Sequence, residues 1–252
     1  MCCFSGKIRN VENTRIFART MEDGMQFIAY AMNLDTPQDV AMILPIPVKA
    51  GTKENQVKFV NFEKYPMLFD DLAKGFPSEA AGEAFAFAPV PRSPAVETLK
   101  VQSVGAYEAS FVPSPKDFTR LDPRFRLPDG AWEKLPQYVD YGFAVFKLKQ
   151  GVSSVHPLAC LFPSRHQERL FFPTVHIHDG EVHEKEKFDH TLYFQTKQTG
   201  LRALIECDES EYAAVTFVKC GFTHGLVDSG LHVRRIKLNG ELKNQDKILS
   251  FS

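Results

Sequence analysis

One short stretch of the sequence concentrates histidines at spacings that suit metal binding. TVHIHDGEVH places His176, His178 and His183 around an Asp-Gly pair, with Glu181 directly after it. Asp-Gly is a favoured two-residue turn, and side chains that pair across a hairpin or stand two apart on a strand share a face. The sequence therefore predicts a hairpin that presents His176, His178, Glu181 and His183 on one surface. Three imidazoles and a carboxylate suit Zn²⁺ or Fe²⁺.

A His-x-His pair followed by Glu is similar to the first metal motif of cupins. Glu181 stands one residue too close for that motif, and the later Gly-x-x-His segment is absent. The alternative is an exposed hairpin with a polar face, because polar and apolar residues alternate in any half-exposed strand. The metal site is therefore a hypothesis about this hairpin.

The two cysteines behind the initiator methionine form the second candidate site. If the methionine is removed, Cys2 carries a thiol beside an α-amino group, whose pKa of about 7.7–8.0 suits a base in N-terminal nucleophile hydrolases. The stretch IFARTMED resembles the F-G-R-N-M-D segment of choloylglycine-type amidohydrolases. That resemblance implies Cys2 as the catalytic nucleophile, held by Arg19 and by Glu22 or Asp23. Two alternatives stay open: a buried strand in which thiols act as small hydrophobes, and a lipid on Cys2 or Cys3.

The elements that must position these residues are mainly strands. The 22 phenylalanines favour sheet, and short apolar runs alternate with turn residues. Strands are predicted in CCFSGKIR, NTRIFART, MQFIAYAMN, VAMILPIP, VKFVNF, LKVQSVGAYEASFV, YGFAVFKLK, VHPLACLF and ERLFFPTVHIH. The expected fold class is mainly β (α+β), with antiparallel sheets and a few short peripheral helices.

Helix and turn signals are fewer. YPMLFDDLAKGF predicts a short helix, Ser114 and Pro115 mark a helix start, and DESEYAAVTFVKC predicts a helix over residues 208–220. Asn239-Gly240 predicts a hairpin turn in the C-terminal stretch HVRRIKLNGELK.

Composition excludes several classes of protein. Thirty basic residues nearly balance 31 acidic ones without a basic stripe, so nucleic-acid binding is not expected. No apolar stretch approaches the roughly 20 residues of a transmembrane helix, and the N-terminus lacks a secretory pattern. Five scattered cysteines favour reduced thiols, so we expect a cytoplasmic protein.

Several landmarks resemble an uncharacterised bacterial domain family of unknown function. They are a Cys-rich start, an Ala-x-x-Leu-Pro-x-Pro strand in VAMILPIPV, and then VGAYEASFV, YGFAVFKLKQG and HPLACLFPS in the same order, over residues 2–175. Members of that family begin with a signal peptide, which is missing here. The resemblance implies one continuous domain over residues 1–252 and implies no activity. Four prolines and several alanines mark residues 76–97 as a candidate linker or surface excursion.

Because no specific catalytic motif is present, a binding or structural role is favoured over an enzymatic one. The most specific version of this binding hypothesis is a histidine-lined face that holds Zn²⁺ or Fe²⁺. The competing hypothesis is a cysteine-dependent amide hydrolase that uses Cys2. The sequence names no partner and no oligomeric state.

Overall fold

The computed structural model describes residues 3–77, 101–127, 130–154, 156–166, 168–177, 181–197 and 207–250. These residues form mostly strands, which confirms the mainly β fold class. The strands are β1 (Cys3–Phe4), β2 (Asn10–Thr20), β3 (Met25–Thr36), β4 (Val40–Ile46), β5 (Lys58–Asn61), β6 (Gln102–Val104), β7 (Tyr107–Val112), β8 (Gly142–Leu148), β9 (Gly151–Ser154), β10 (Leu158–Pro163), β11 (Arg169–Phe172), β12 (Lys185–Gln195), β13 (Asp208–Ala213), β14 (His232–Lys243) and β15 (Lys247–Ser250).

The helical elements are short. The α-helix α1 spans Leu68–Lys74, within the predicted stretch. The 3-10 helices span Glu22–Gly24, Glu54–Gln56, Pro115–Arg120, Pro123–Phe125, Pro136–Tyr138, Ala214–Thr216 and Cys220–Phe222. The predicted start at Ser114 and Pro115 is thus confirmed, although the helix is of the 3-10 type. Within the described residues, no helix is long and apolar enough to cross a membrane.

Two large sheets and one small one organise the strands. One sheet has the order β1-β4-β8-β7-β6, the larger has the order β13-β14-β12-β2-β3-β10-β5 with β9 beside β3, and β11 pairs with β15. The strand pairs are antiparallel except β2 and β12, which run parallel. In the large sheet His190 lies beside Thr14, and Gln195 lies beside Arg19.

The main core lies between the two large sheets, and two further apolar layers cover their outer faces. All seven residues of β4 are buried, as its continuous apolar run predicts. In the central core, the Phe146 ring contacts the edges of Phe59 and Tyr107 at centroid distances of 5.4 and 5.6 Å. The outer face of the larger sheet packs against α1 and residues 214–233. Residues 118–138 cover the outer face of the five-stranded sheet.

The helix predicted over residues 208–220 is wrong. Residues Asp208–Ala213 form the edge strand β13, and a 3-10 helix follows. Asp208 accepts hydrogen bonds from Arg235, and Glu209 accepts one from Arg234 on the neighbouring strand β14. These cross-strand ion pairs stabilise an extended chain where the local pattern favours a helix.

The hairpin predicted at Asn239-Gly240 is also wrong. Strand β14 continues through both residues, because β12 pairs with it over ten positions, with Asn239 opposite Asp189 and Gly240 opposite Phe188. Gly240 takes a φ of +87° within the strand. Long-range pairing therefore overrides a strong local turn signal, and glycine adopts the left-handed conformation without steric cost.

Candidate functional site

The predicted histidine face divides between the interior and the surface. Asn244 holds the backbones of His176 and His183 together: its Nδ2 donates to both carbonyl oxygens at 3.0 Å. The side chains differ, however, because His176 is fully buried whereas His183 is exposed. The expectation that both imidazoles share one surface is therefore corrected. His178 and the predicted Asp179-Gly180 turn lie outside the described residues.

The His176 ring has a histidine partner that the sequence pattern did not indicate. It stacks on His190 at a centroid distance of 4.9 Å, and Phe188 packs against it at 4.3 Å. His190 is also fully buried, and its Nδ1 lies 3.7 Å from Asp189 Oδ1. The alternation of Phe188, Asp189 and His190 in β12 indicates that Phe188 and His190 face the interior. It does not indicate that His190 contacts His176.

The described residues do not assemble the predicted metal ligands. The exposed Glu181 carboxylate pairs with Lys134 Nζ. In the described part of the chain, no three His, Cys, Asp or Glu side chains are grouped to hold an ion. A Zn²⁺ or Fe²⁺ site that includes His178 stays a prediction.

Arg19 holds a loop rather than a catalytic group among the described residues. Its Nη2 lies 2.9 Å from Asp228 Oδ2, and its Nη1 donates to the carbonyl oxygens of Gly225 and Leu226. Gln195, its neighbour on β12, donates to the Asp228 carbonyl at 2.8 Å and accepts from the Asp228 N–H. These two side chains fix residues 225–231 at one end of the large sheet.

The other predicted catalytic residues lie apart from Cys3. Glu22 is in a 3-10 turn with its side chain 90% exposed, 3.6 Å from Lys197, and Asp23 has a φ of 65° in the same turn. Cys2 lies outside the described residues. Its neighbour Cys3 is buried and pairs with Ile43 on β4.

The strand register of the large sheet shows how far Arg19 lies from the neighbourhood of Cys3. Cys3 also bridges to Ile177, which adjoins His176 and its stacked partner His190. Arg19 lies five positions farther along the paired strands β2 and β12, which is roughly 16 Å at strand spacing. Arg19 thus lies along the large sheet from the point where the bridge between Cys3 and Ile177 meets it, and the hydrolase stays a prediction.

A more distinctive feature is a groove with apolar and charged lining residues on the outer face of the larger sheet. Among the described residues, six large hydrophobic side chains are exposed, and three of them are Tyr212, Val215 and Phe222. Beside them is a groove of about 590 Å³. Its walls are formed by Asp71, Lys74, Gly75, Pro77, Glu211, Tyr212, Val215, Thr216, Phe217, Val218 and Lys219.

Buried polar contacts fix the two walls of this groove to each other. Tyr65 Oη donates to Asp71 Oδ2 of α1 at 2.7 Å and accepts from the Lys219 N–H at 2.9 Å. Burial raises the pKa of Tyr65, so its phenol stays protonated. Gly75 packs so closely on the Phe217 ring that a Cβ would lie 2.7 Å from Cζ. The groove is thus built by α1 and residues 211–219, which these contacts join to each other.

Comparisons with known proteins give the fold. No known protein-family model matches the chain. The crystal structure of baculovirus P35 is similar over 99% of each chain, with a TM-score of 0.54 at 16% identity. The caspase-8/P35 complex matches over 95% of this chain and 96% of P35, with a TM-score of 0.52 at 15% identity. A mutated baculovirus P35 after caspase cleavage matches over 96% and 100%, with a TM-score of 0.52 at 15% identity. At these identities the likeness shows that the chain has the fold of P35.

Proposed function

We propose that this chain is a protein-binding protein whose partner is a cysteine protease of the caspase class. One observation carries the proposal: the fold matches that of P35 from end to end, and P35 forms a complex with caspase-8. This gives a partner class to the binding role that the sequence favours over an enzymatic one.

The connection between α1 and β6 supports a protease as the partner. Between these two elements the chain has 27 residues, 75–101; residues 78–100, which include most of the candidate linker at 76–97, lie outside the described residues. The sequence of this stretch is rich in small and polar residues, and proteases act preferentially on segments of that composition. A mutated P35 was crystallised after caspase cleavage. We therefore propose that the protease contacts this connection.

The sequence of the connection bears on how binding should be measured. Residues 72–116 contain no aspartate, although Glu79, Glu83 and Glu97 are present. An aspartate-directed protease has no preferred bond in this range. Complex formation is therefore a better measure than cleavage.

The test uses the full chain and caspases whose catalytic cysteine is replaced by alanine, caspase-8 among them. We expect co-elution in size-exclusion chromatography and a Kd of about 1 μM or tighter for at least one caspase. The active enzymes, assayed with a peptide substrate, should lose activity in proportion to the complex formed, and intact mass reports any cleavage. A papain-type protease, which has an unrelated fold, serves as the negative control. If no caspase binds, or if papain binds equally well, the proposal is wrong.

We also propose the reducing, cytoplasmic location that the sequence predicts. Within the described residues, Cys160 and Cys220 are free thiols. Free thiols are typical of reducing compartments. Fractionation of the native source with thiol labelling tests this, and a secreted, disulfide-linked form would contradict it.

A further inference from the structure

We propose that Tyr212, Val215 and Phe222, here called the 212–222 face, form a second contact surface for the same protease, beside the 75–101 connection. This inference rests on the proposed function and assigns part of the binding energy to a surface outside the connection. The occupant is an apolar or aromatic side chain of the protease that enters the groove.

The exposure of this face is the first argument. Tyr212, Val215 and Phe222 are 59%, 61% and 54% exposed, although each adjoins a buried layer. Tyr212 and Val215 both line the groove, exposed apolar patches commonly mark interaction surfaces, and aromatic residues are enriched at the centres of protein interfaces. The face is therefore suited to a protein partner.

The position of the groove is the second argument and identifies the occupant. Gly75 and Pro77 form part of its wall, and Pro77 directly precedes residue 78 of the 75–101 connection. A protease that holds the beginning of this connection must approach the face of the molecule where the connection starts. A stable interface buries roughly 800 Å² per partner, and the groove is the surface beside the start of this connection that can contribute to such an area.

The rigidity of the groove is the third argument. The Tyr65–Asp71 hydrogen bond and the Lys219 N–H bond join its two walls, and the Tyr65 ring lies 6.1 Å from Phe222. A surface that is ordered before binding loses less conformational entropy on association. The exposed apolar side chains are thus held in position for a partner.

The experiment compares two exposed valines. Val215→Ser removes apolar surface from the 212–222 face, and Val139→Ser makes the same change at a valine that is 73% exposed beside the opposite apolar layer. The affinity of each variant for caspase-8 with its catalytic cysteine replaced, or for the tightest-binding caspase, is measured by calorimetry. Thermal unfolding of each variant checks the fold.

We expect Val215→Ser to weaken binding severalfold and the double variant Tyr212→Ser/Val215→Ser to weaken it about tenfold or more. Val139→Ser should bind like the wild type. If the wild type binds and all variants bind equally, or if both valine variants are weakened equally, the 212–222 face is not a contact surface while the proposed function stands. If the wild type binds no caspase, the proposed function itself fails, and this inference fails with it.

Discussion

His156 has a polar contact at each ring nitrogen, although it lies outside the histidine cluster at residues 176–183. Its Nε2 accepts from the Ala106 N–H at 3.2 Å, and its Nδ1 lies 3.3 Å from the Pro157 carbonyl oxygen. This pattern requires the neutral tautomer with its proton on Nδ1. The Tyr107 ring packs against the imidazole in a tilted arrangement, with a centroid distance of 4.7 Å. The imidazole thus fastens the β6–β7 turn to the start of β10, a role that a single histidine in a sequence does not reveal.

We predict a pH-dependent contribution of His156 to stability. Burial lowers the pKa of His156, so the unfolded chain takes up a proton before the folded protein does. The stabilisation is therefore complete above pH about 6.5 and is lost as the pH falls. His156→Phe should cost about 1 kcal/mol at pH 7.5, because Ala106 loses its acceptor. The gap between wild type and variant in the free energy of unfolding should then shrink toward pH 5.

Denaturant unfolding at both pH values measures this gap. Burial raises the pKa of Asp246 to about 6, so the contribution of Asp246 to stability changes with pH in the opposite direction. Because Asp246 is present in both proteins, the difference between wild type and variant reports His156 alone. His156→Gln, which keeps an acceptor but does not titrate, is the control and should be closer to wild type at pH 7.5. A gap that stays constant with pH contradicts the prediction.

At the scale of elements, the local sequence pattern predicts a strand correctly where the strand and its neighbours both have alternating or continuous apolar residues. Strands β2, β3, β4 and β8 fall where the sequence indicates them. The errors occur where a distant partner decides the conformation. Strand β13 is extended where it pairs with β14, and Asn239-Gly240 stays extended where it pairs with β12. Neither partner is visible in a window of ten or fifteen residues.

The ion pair between Arg19 and Asp228 gives a prediction about the loop at residues 225–231. Arg19→Met should lower the free energy of unfolding by about 1–3 kcal/mol, because three acceptors in this loop lose their donor. Hydrogen exchange of the Leu226 and Leu231 amides should accelerate. Glu22→Gln, at a side chain that is 90% exposed, should change stability by no more than about 0.5 kcal/mol.

The sequence predicts Arg19 and Glu22 as residues that support a catalytic nucleophile. The same two variants therefore compare that catalytic hypothesis with the structural role of Arg19. A large effect of Arg19→Met on stability, with none from Glu22→Gln, agrees with a residue that fixes a loop. Equal stability of both variants, measured by denaturant unfolding, would contradict the structural role.

At the scale of the whole molecule, the sequence predicted the fold class but neither the division into sheets nor the candidate surface. Strand β4 could be identified as buried on both faces, yet its neighbours β1 and β8 come from distant parts of the chain. Likewise, α1 and residues 211–219 form one groove only because both pack on the same sheet. Exposure of Val215 and Phe222 depends on this packing, and apolar residues in a sequence are expected in the core.

The final prediction separates the residues that hold the sheets together from those offered to a partner. Phe146→Ala should lower the free energy of unfolding by about 3–5 kcal/mol, because the ring is fully buried between the two large sheets and contacts Phe59 and Tyr107. Phe222→Ala removes a ring of the same size that is 54% exposed, so its cost should stay near or below about 1 kcal/mol. Denaturant unfolding of both variants measures the contrast. Similar losses would mean that Phe222 is part of the core, and its exposure would then no longer support a surface kept for binding.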